Sequence, residues 1–254
     1  MSRLAYMKSS QVAEIRRLAR LLYFSDETMD AFCEKASAGQ LRALGDVIEY
    51  EQGVRARRKK ERLMRKARFP APKSFVGYDF SQVIFPEDYG AEDLRSLAFV
   101  DEAQDFVFHG KAGRKKTHLS IAVGMACVEA ARPVRFFTAA ELVLALTRAN
   151  REHNLEALLK DISKCDLLII DELGYVPLDV EGARLLFQVM SDCYERRSLI
   201  VTTNIEFSRW GTVFGDDKLA AALIDRIVHH GRLVEFNGTS HRMDAALMLD
   251  RSQS

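Results

Sequence analysis

From about residue 104 onward the sequence alternates between short apolar runs and longer segments with helical patterning. This alternation is typical of a parallel sheet with helices on both faces, because neighbouring parallel strands need a crossover connection. The predicted strands are 105–108, 134–137, 167–170, 199–202 and 232–236, and the predicted helices are 116–131, 139–150, 154–164, 180–196 and 217–230. The pattern therefore predicts a three-layer α/β/α fold.

The beginning of the chain has a different pattern, with neither proline nor a β-rich run before residue 70. Ile15 and Leu18 follow helical spacing, and Ser25 before two acidic residues is typical of a helix start. Prolines at 70 and 72 are expected to stop the last helix of this part. We predict a helical N-terminal domain over 1–68, a linker over 69–97 and the α/β domain over 98–254.

The charges are divided unequally between these parts. Residues 1–70 hold 16 Lys and Arg against nine Asp and Glu, whereas the remaining residues hold 21 against 27. A basic appendage on a mildly acidic body favours a polyanionic partner for the appendage.

The sequence also predicts a cytoplasmic protein. No apolar run reaches the roughly 18 to 20 residues that cross a bilayer, and the first ten residues lack the apolar core of a signal peptide. The four cysteines stand far apart, which argues against a disulfide framework or a zinc site.

Residues 110–117 lie between a predicted strand and a predicted helix and partly match the phosphate-loop pattern G-x-x-x-x-G-K-[ST]. Gly110, Lys116 and Thr117 fit the pattern, but Lys115 replaces its second glycine. In such a loop the backbone N–H groups and the lysine bind phosphates, and the hydroxyl binds Mg²⁺. By itself the match does not separate a phosphate site from a chance turn rich in Gly and Lys.

The apolar strand 167–170 is followed by Asp171 and Glu172, 54 residues beyond Thr117. Carboxylates at the end of a buried strand are typical of a site that needs a cation or a reaction. Asp171 would hold Mg²⁺ through water and Glu172 would polarise the attacking water. The alternative is a strand that ends in a solvated acidic turn, but together with the loop the acidic pair favours a nucleotide site.

Asn204 follows the predicted strand 199–202. A polar residue at this strand end would orient the water or contact the terminal phosphate. The alternative is an asparagine that only begins a turn.

Several longer segments resemble the AAA+ group of P-loop ATPases. More narrowly, they resemble the IstB-type helper ATPases of bacterial insertion sequences, which are relatives of the DnaC helicase loaders. The resemblance extends from about 73 to 249, roughly 70% of the chain. Its segments are KTHLSIAVG (116–124), VRFFTAAELV (134–143), DLLIIDELGYVPLDVEGARLLFQVMSDCYERRSLIVTTN (166–204) and FSRWGTVFGDDKLAAALIDRIVHHG (207–231).

The resemblance implies roles for individual residues and the cofactors ATP and Mg²⁺. Asn204 matches the first sensor, Arg226 the arginine presented to a neighbouring subunit's nucleotide, and Arg242 the second sensor. The implied catalytic residues are Lys116, Glu172, Asn204 and Arg226, and the implied metal residues are Thr117 and Asp171. The implied nucleotide-binding residues are Gly110, Lys111, Ala112, Gly113, Arg114, Lys115, Lys116, Thr117, His118 and Arg242.

The loop departs from the resemblance, because such proteins usually read GPPGTGKTHL where this chain reads GKAGRKKTHL. A side chain at Lys115 need not clash if the backbone there is helical. It would then either add positive charge beside the nucleotide or obstruct the site.

The segment 54–68 contains nine basic residues and one acid, Glu61. Mutual repulsion among these cations favours binding to a DNA backbone, although a solvated helix or an acidic protein partner would also relieve it. The residues expected to bind DNA are Arg55, Arg57, Arg58, Lys59, Lys60, Arg62, Arg65 and Lys66.

Taken with the resemblance, the sequence predicts an ATP-hydrolysing helper for transposition. It would form a homo-oligomer on double-stranded target DNA, with nucleotide sites between subunits, and would recruit or stimulate a transposase. The alternatives are a DnaC-like helicase loader and a DNA-binding scaffold that does not hydrolyse ATP.

Overall fold

The computed structural model describes residues 3–238, with side chains from residue 12 onward. The chain forms two compact units, residues 1–62 and 63–254. The predicted boundaries at 68 and 97 stay a prediction. The first unit is helical, as predicted, and its helices are α1 (Arg3–Arg20), α2 (Asp26–Lys35) and α3 (Ala38–Ala67), the last of which ends in the second unit.

The helical unit has a small apolar core of its own. Helix α2 begins where the sequence predicts, because the Ser25 hydroxyl accepts a hydrogen bond from the Thr28 N–H at 3.2 Å. The largest core side chains come from all three helices and include Ile15, Leu18, Met29, Leu41 and Ile48.

The described part of the second unit contains a six-stranded sheet with the order β1-β6-β2-β5-β4-β3. All five predicted strands are present and are parallel to one another. The sixth strand, β1, pairs antiparallel with β6. It was not predicted, because two residues are too few to show an alternating pattern. The strands are β1 (Val83–Ile84), β2 (Asp105–His109), β3 (Val134–Thr138), β4 (Leu167–Leu173), β5 (Ser198–Thr203) and β6 (Gly231–Phe236).

Helices of the second unit connect these strands, and all five predicted helices are present within a few residues of their predicted ends. They are α6 (Lys116–Glu129), α7 (Ala139–Arg151), α8 (Leu155–Ile162), α9 (Val180–Cys193) and α11 (Asp217–His230). The helices that were not predicted span six residues or fewer, too short for a helical period: α4 (Ala91–Ser96), α5 (Ala98–Asp101), α10 (Trp210–Phe214) and a 3₁₀ turn at Phe207–Arg209.

Two apolar cores lie on the two faces of this sheet, and strand β4 contributes to both. Leu167 and Ile169 belong to the core that includes apolar residues of α6. Leu168 and Ile170 belong to the core with α7, α9 and α11. Burial on both faces explains why four consecutive residues of β4 are apolar and confirms the predicted α/β/α arrangement. Within residues 3–238, the structure has no helix that is long and apolar enough to cross a membrane.

A buried carboxyl group gives the fold a dependence on pH. Asp105 begins β2, is 3% exposed and accepts a hydrogen bond from the Leu199 N–H at 2.9 Å. Burial raises the pKa of Asp105 from 3.8 to about 7. Since the folded state binds this proton more tightly than the unfolded state, the stability from the protonated carboxyl is complete below pH 4 and is lost as the pH rises to 7.

We therefore expect Asp105→Asn to stabilise the fold at pH 8, because the amide keeps an acceptor for Leu199 and cannot ionise. The gain in unfolding free energy is at most about 4 kcal/mol, the equivalent of the change in pKa, and it should shrink towards zero near pH 4. Denaturant unfolding of both proteins from pH 4 to 8 measures this difference. Parallel stability curves would show that burial does not hold the proton on Asp105.

Candidate nucleotide site

The loop between β2 and α6 has backbone conformations that suit a tight turn. Gly110 and Gly113 have φ angles of 154° and 81°. A Cβ atom at Gly110 would lie 2.5 Å from the carbonyl oxygen of Phe236, so this position has no room for a side chain. The Gly110 N–H donates to the Thr203 carbonyl at 3.2 Å. The loop is therefore held against β5 and β6 at the carboxyl ends of these strands.

Lys115 stands immediately before α6 in the left-handed conformation, with φ 60° and ψ 19°. The sequence analysis allows a helical backbone at this position, but the observed backbone is left-handed, a conformation that favours glycine. A non-glycine residue in this region costs roughly 1–2 kcal/mol. The Lys115 carbonyl accepts from the Leu119 N–H at 3.0 Å and from the Tyr78 hydroxyl at 3.4 Å. The start of α6 is thus formed at the expense of local strain.

The next two residues face the interior of the site. Lys116 is 6% exposed, and its Nζ donates to the carbonyl oxygens of Gly110 at 2.5 Å and Lys111 at 2.9 Å. The Thr117 hydroxyl lies 3.0 and 2.9 Å from the two carboxylate oxygens of Asp171. The structure therefore brings the loop and the acidic strand end into direct contact.

The two acids at the end of β4 differ in environment. Asp171 is 3% exposed, whereas Glu172 is partly exposed and has a left-handed backbone with φ 60°. Burial raises the pKa of Asp171, and hydrogen bonds from Thr202 and Thr117 and the charge of Lys116 act in the opposite direction. A buried carboxylate beside a hydroxyl is a donor set that fits Mg²⁺, which prefers oxygen ligands.

A cavity of about 260 Å³ is lined by residues of the loop and by Glu172, whereas Asp171 is not part of its lining. Its lining includes Lys73, Tyr175 and Thr202, which the sequence analysis did not identify. Lys73 lies 32 residues before the start of β2, and Tyr175 lies beyond the acidic pair within the resembling segment 166–204. Neither the loop pattern nor the acidic pair assigns a role to these two residues. The predicted residues that line the cavity are Gly113, Arg114, Lys115, Lys116, Thr117, His118 and Glu172.

Other predicted residues lie elsewhere around the loop. Asn204 is exposed and lines a second cavity of about 320 Å³ that also includes Gly110 and Lys111. Arg114 lines both cavities, and its guanidinium donates to the Phe236 carbonyl at 2.8 Å. Ala112 is exposed in the same loop. The predicted role of Asn204 at the terminal phosphate stays a prediction.

The structure describes one of the two arginines that the resemblance places at the nucleotide, Arg226, but not the other, Arg242. Arg226 is exposed on α11, and its guanidinium carbon lies 5.5 Å from the centre of the Phe187 ring. It lines neither cavity beside the loop. Its predicted role at a neighbouring subunit's nucleotide therefore stays a prediction. Arg242 lies outside the described residues.

The basic segment forms the C-terminal half of α3 and extends one residue beyond it. Arg55 pairs with Glu51 at 2.7 Å, and Leu63 and Ala67 are buried. Helical geometry places the basic side chains around the remaining surface, and those that are exposed include Arg57, Arg58, Lys59, Arg62, Arg65 and Lys66.

The sheet order, the glycine-containing loop before α6 and the acidic end of β4 define a P-loop nucleotide-binding protein of the AAA+ type. Residues 14–248 match the family described as IstB-like ATP binding protein, and the chain belongs to that family. Among the described residues, the loop and Glu172 line the same cavity, and Asp171 contacts the loop through the Thr117 hydroxyl.

Two relatives connect the chain with insertion sequences. A protein of Bacillus thuringiensis subsp. berliner, named as an ATP-binding protein of insertion sequence IS232, is 36% identical over 94% of this chain and 92% of its own length. A protein of Pseudomonas aeruginosa, named as an ATP-binding protein of insertion sequence IS21, is 35% identical over 77% of this chain and 74% of its own length.

Solved structures agree with this fold. The chain is similar to DnaI with a TM-score of 0.52 and 18% identity, over 67% of this chain and 90% of that one. It is similar to the replication initiator DnaA bound to AMPPCP and single-stranded DNA, with a TM-score of 0.50 and 18% identity, over 60% of this chain and 47% of that one. At such identities the likeness concerns the fold alone.

Proposed function

We propose that this protein is an ATP-hydrolysing, DNA-binding helper for transposition of an insertion sequence. It oligomerises on double-stranded target DNA and recruits or stimulates the transposase. The observation that carries the proposal is the contact between Thr117 and Asp171, with Lys116 and Glu172 around the same cavity. Membership of the IstB-like family and the names of the relatives supply the context.

In this proposal each part of the cavity has a chemical task. The N–H groups at the start of α6 and the Lys116 ammonium bind the phosphates of ATP. Thr117 and Asp171 hold Mg²⁺, which neutralises charge on the transferring phosphoryl group. Glu172 reaches the cavity from the partly exposed end of β4 and orients the attacking water.

The proposal places each active site between two subunits. Arg226 is exposed on α11 and lines neither cavity beside its own loop. A guanidinium offered to the nucleotide of a second copy would stabilise charge on the phosphoryl group. Hydrolysis would then depend on assembly, and DNA that promotes assembly would stimulate it.

A steady-state ATPase assay with and without duplex DNA tests this function. We expect wild-type turnover to rise with DNA, and we expect Glu172→Gln to lower kcat by at least about 100-fold while ATP still binds, because the amide cannot accept a proton. The absence of wild-type turnover under both conditions would contradict the proposal.

The left-handed backbone of Lys115 favours one rival function, that of a DNA-binding scaffold that does not hydrolyse ATP. Under that rival, Lys115→Gly would create turnover that the wild type lacks, because it removes the side chain that obstructs the site. Lys111→Gly is the matched control, since Lys111 lies in the same loop without a positive φ. Under our proposal, wild type and both variants hydrolyse ATP.

DNA binding through α3 has its own test. Each Lys or Arg that contacts a phosphate adds about 0.9 to the slope of log affinity against log salt. We expect Arg58→Gln combined with Arg62→Gln to lower that slope by about 2. Fluorescence anisotropy with a labelled duplex measures it.

The matched control for this test is Arg184→Gln with Arg196→Gln, which removes two exposed charges from the second unit. This variant should keep the wild-type slope. An equal loss of slope in both double variants would show that general charge, rather than the basic part of α3, attracts the DNA.

A further inference from the structure

A single hydroxyl group contacts both members of the acidic pair. Thr202 lies in β5 and is 1% exposed. Its Oγ1 donates to the Asp171 carboxylate at 2.5 Å and accepts from the Glu172 backbone N–H at 3.0 Å. Thr202 also lines the cavity that contains Lys116 and Thr117.

An irregularity between two strands creates this double contact. Ile170 of β4 pairs with Val201 of β5, but the next pair along the two strands is Leu173 with Thr203. Asp171 and Glu172 therefore stand opposite the single residue Thr202, which is the geometry of a β-bulge. A bulge changes the direction of the residues it contains, and here it contains both acids.

We propose that Thr202 is a positioning residue for the acidic pair. Its hydroxyl fixes the direction of the Asp171 carboxylate and holds the backbone of Glu172 in the left-handed conformation that turns this residue towards the cavity. The inference rests on the proposed nucleotide site and adds a residue that the loop and acidic motifs do not contain.

The hydrogen-bonding capacity of the side chain explains why this position needs a hydroxyl. An O–H group donates once and still accepts, and Thr202 uses both capacities on adjacent residues. Valine has nearly the same shape but neither capacity. In Thr202→Val the Asp171 carboxylate loses one of its two hydroxyl donors, and the Glu172 N–H loses its acceptor. Serine keeps the hydroxyl and should preserve both contacts.

The neighbouring threonine provides a matched control. Thr203 is also in β5 and 1% exposed, but its hydroxyl donates to the Leu173 carbonyl at 2.8 Å. It also accepts from the Ile205 N–H at 3.1 Å. Thr203→Val therefore removes an equally buried hydroxyl from the same strand, and none of the hydrogen bonds that it removes involves the acids.

The test compares wild type, Thr202→Val, Thr202→Ser and Thr203→Val in the full chain. Binding of a fluorescent ATP analogue is titrated with Mg²⁺ and with EDTA, KM and kcat are measured for ATP, and thermal unfolding is followed without nucleotide. We expect both valine variants to unfold at lower temperature, because each loses buried hydrogen bonds.

Only Thr202→Val should lose function. We expect the increase in affinity caused by Mg²⁺ to fall at least about tenfold, kcat to fall by a similar factor, and affinity in EDTA to remain within about threefold of wild type. Thr202→Ser and Thr203→Val should stay within about threefold in each quantity.

Equal losses of the Mg²⁺ response in Thr202→Val and Thr203→Val would overturn the inference, as would a serine variant as defective as the valine variant. An affinity of the wild type for the ATP analogue that is the same in Mg²⁺ and in EDTA would also overturn the inference. Mg²⁺-dependent binding without turnover would contradict only the proposed hydrolysis, since the binding titration still decides the role of Thr202.

Discussion

The contact between the Thr117 hydroxyl and the Asp171 carboxylate depends on the order of the strands. The loop follows β2, the acids end β4, and β5 lies between them in the sheet. All three strands are parallel, so their carboxyl ends meet at one edge. Two residues that are 54 positions apart in the chain thereby come within 3.0 Å. The strand between them supplies Thr202, which contacts both acids from the middle of the site.

Two of the nine described non-glycine residues with positive φ line this cavity. Lys115 and Glu172 both have φ angles of 60°, one before α6 and the other at the end of β4. Such conformations cost of order 1–3 kcal/mol each and persist where the surrounding structure fixes them. For Glu172 the fixing contact is the Thr202 hydroxyl, and for Lys115 it is the hydrogen bonding at the start of α6. The lysine therefore has a left-handed backbone that favours glycine, although it replaces the glycine of the pattern.

Much of this arrangement could be predicted from residue patterns. Periodicity predicts five strands and five helices, and motif spacing predicts Lys116, Thr117, Asp171 and Glu172 as residues of the site. Thr202 was missed because its position depends on a bulge, and one extra residue in β4 changes which side chains oppose each other without any mark in the apolar pattern. The antiparallel strand β1 and the helices of six residues or fewer were missed because they contain too few residues to show a period.

In our proposal the loop and the acidic strand end form one Mg²⁺-dependent nucleotide site. Equilibrium titration of ATP in Mg²⁺ and in EDTA, with wild type and Asp171→Asn, tests it most directly. Asparagine preserves the size of the side chain and an oxygen for the Thr117 hydroxyl, but it removes the charge that would hold the cation. We expect the variant to bind ATP in EDTA at least as tightly as wild type and to gain little affinity from Mg²⁺. A full wild-type response to Mg²⁺ in Asp171→Asn would contradict the proposal.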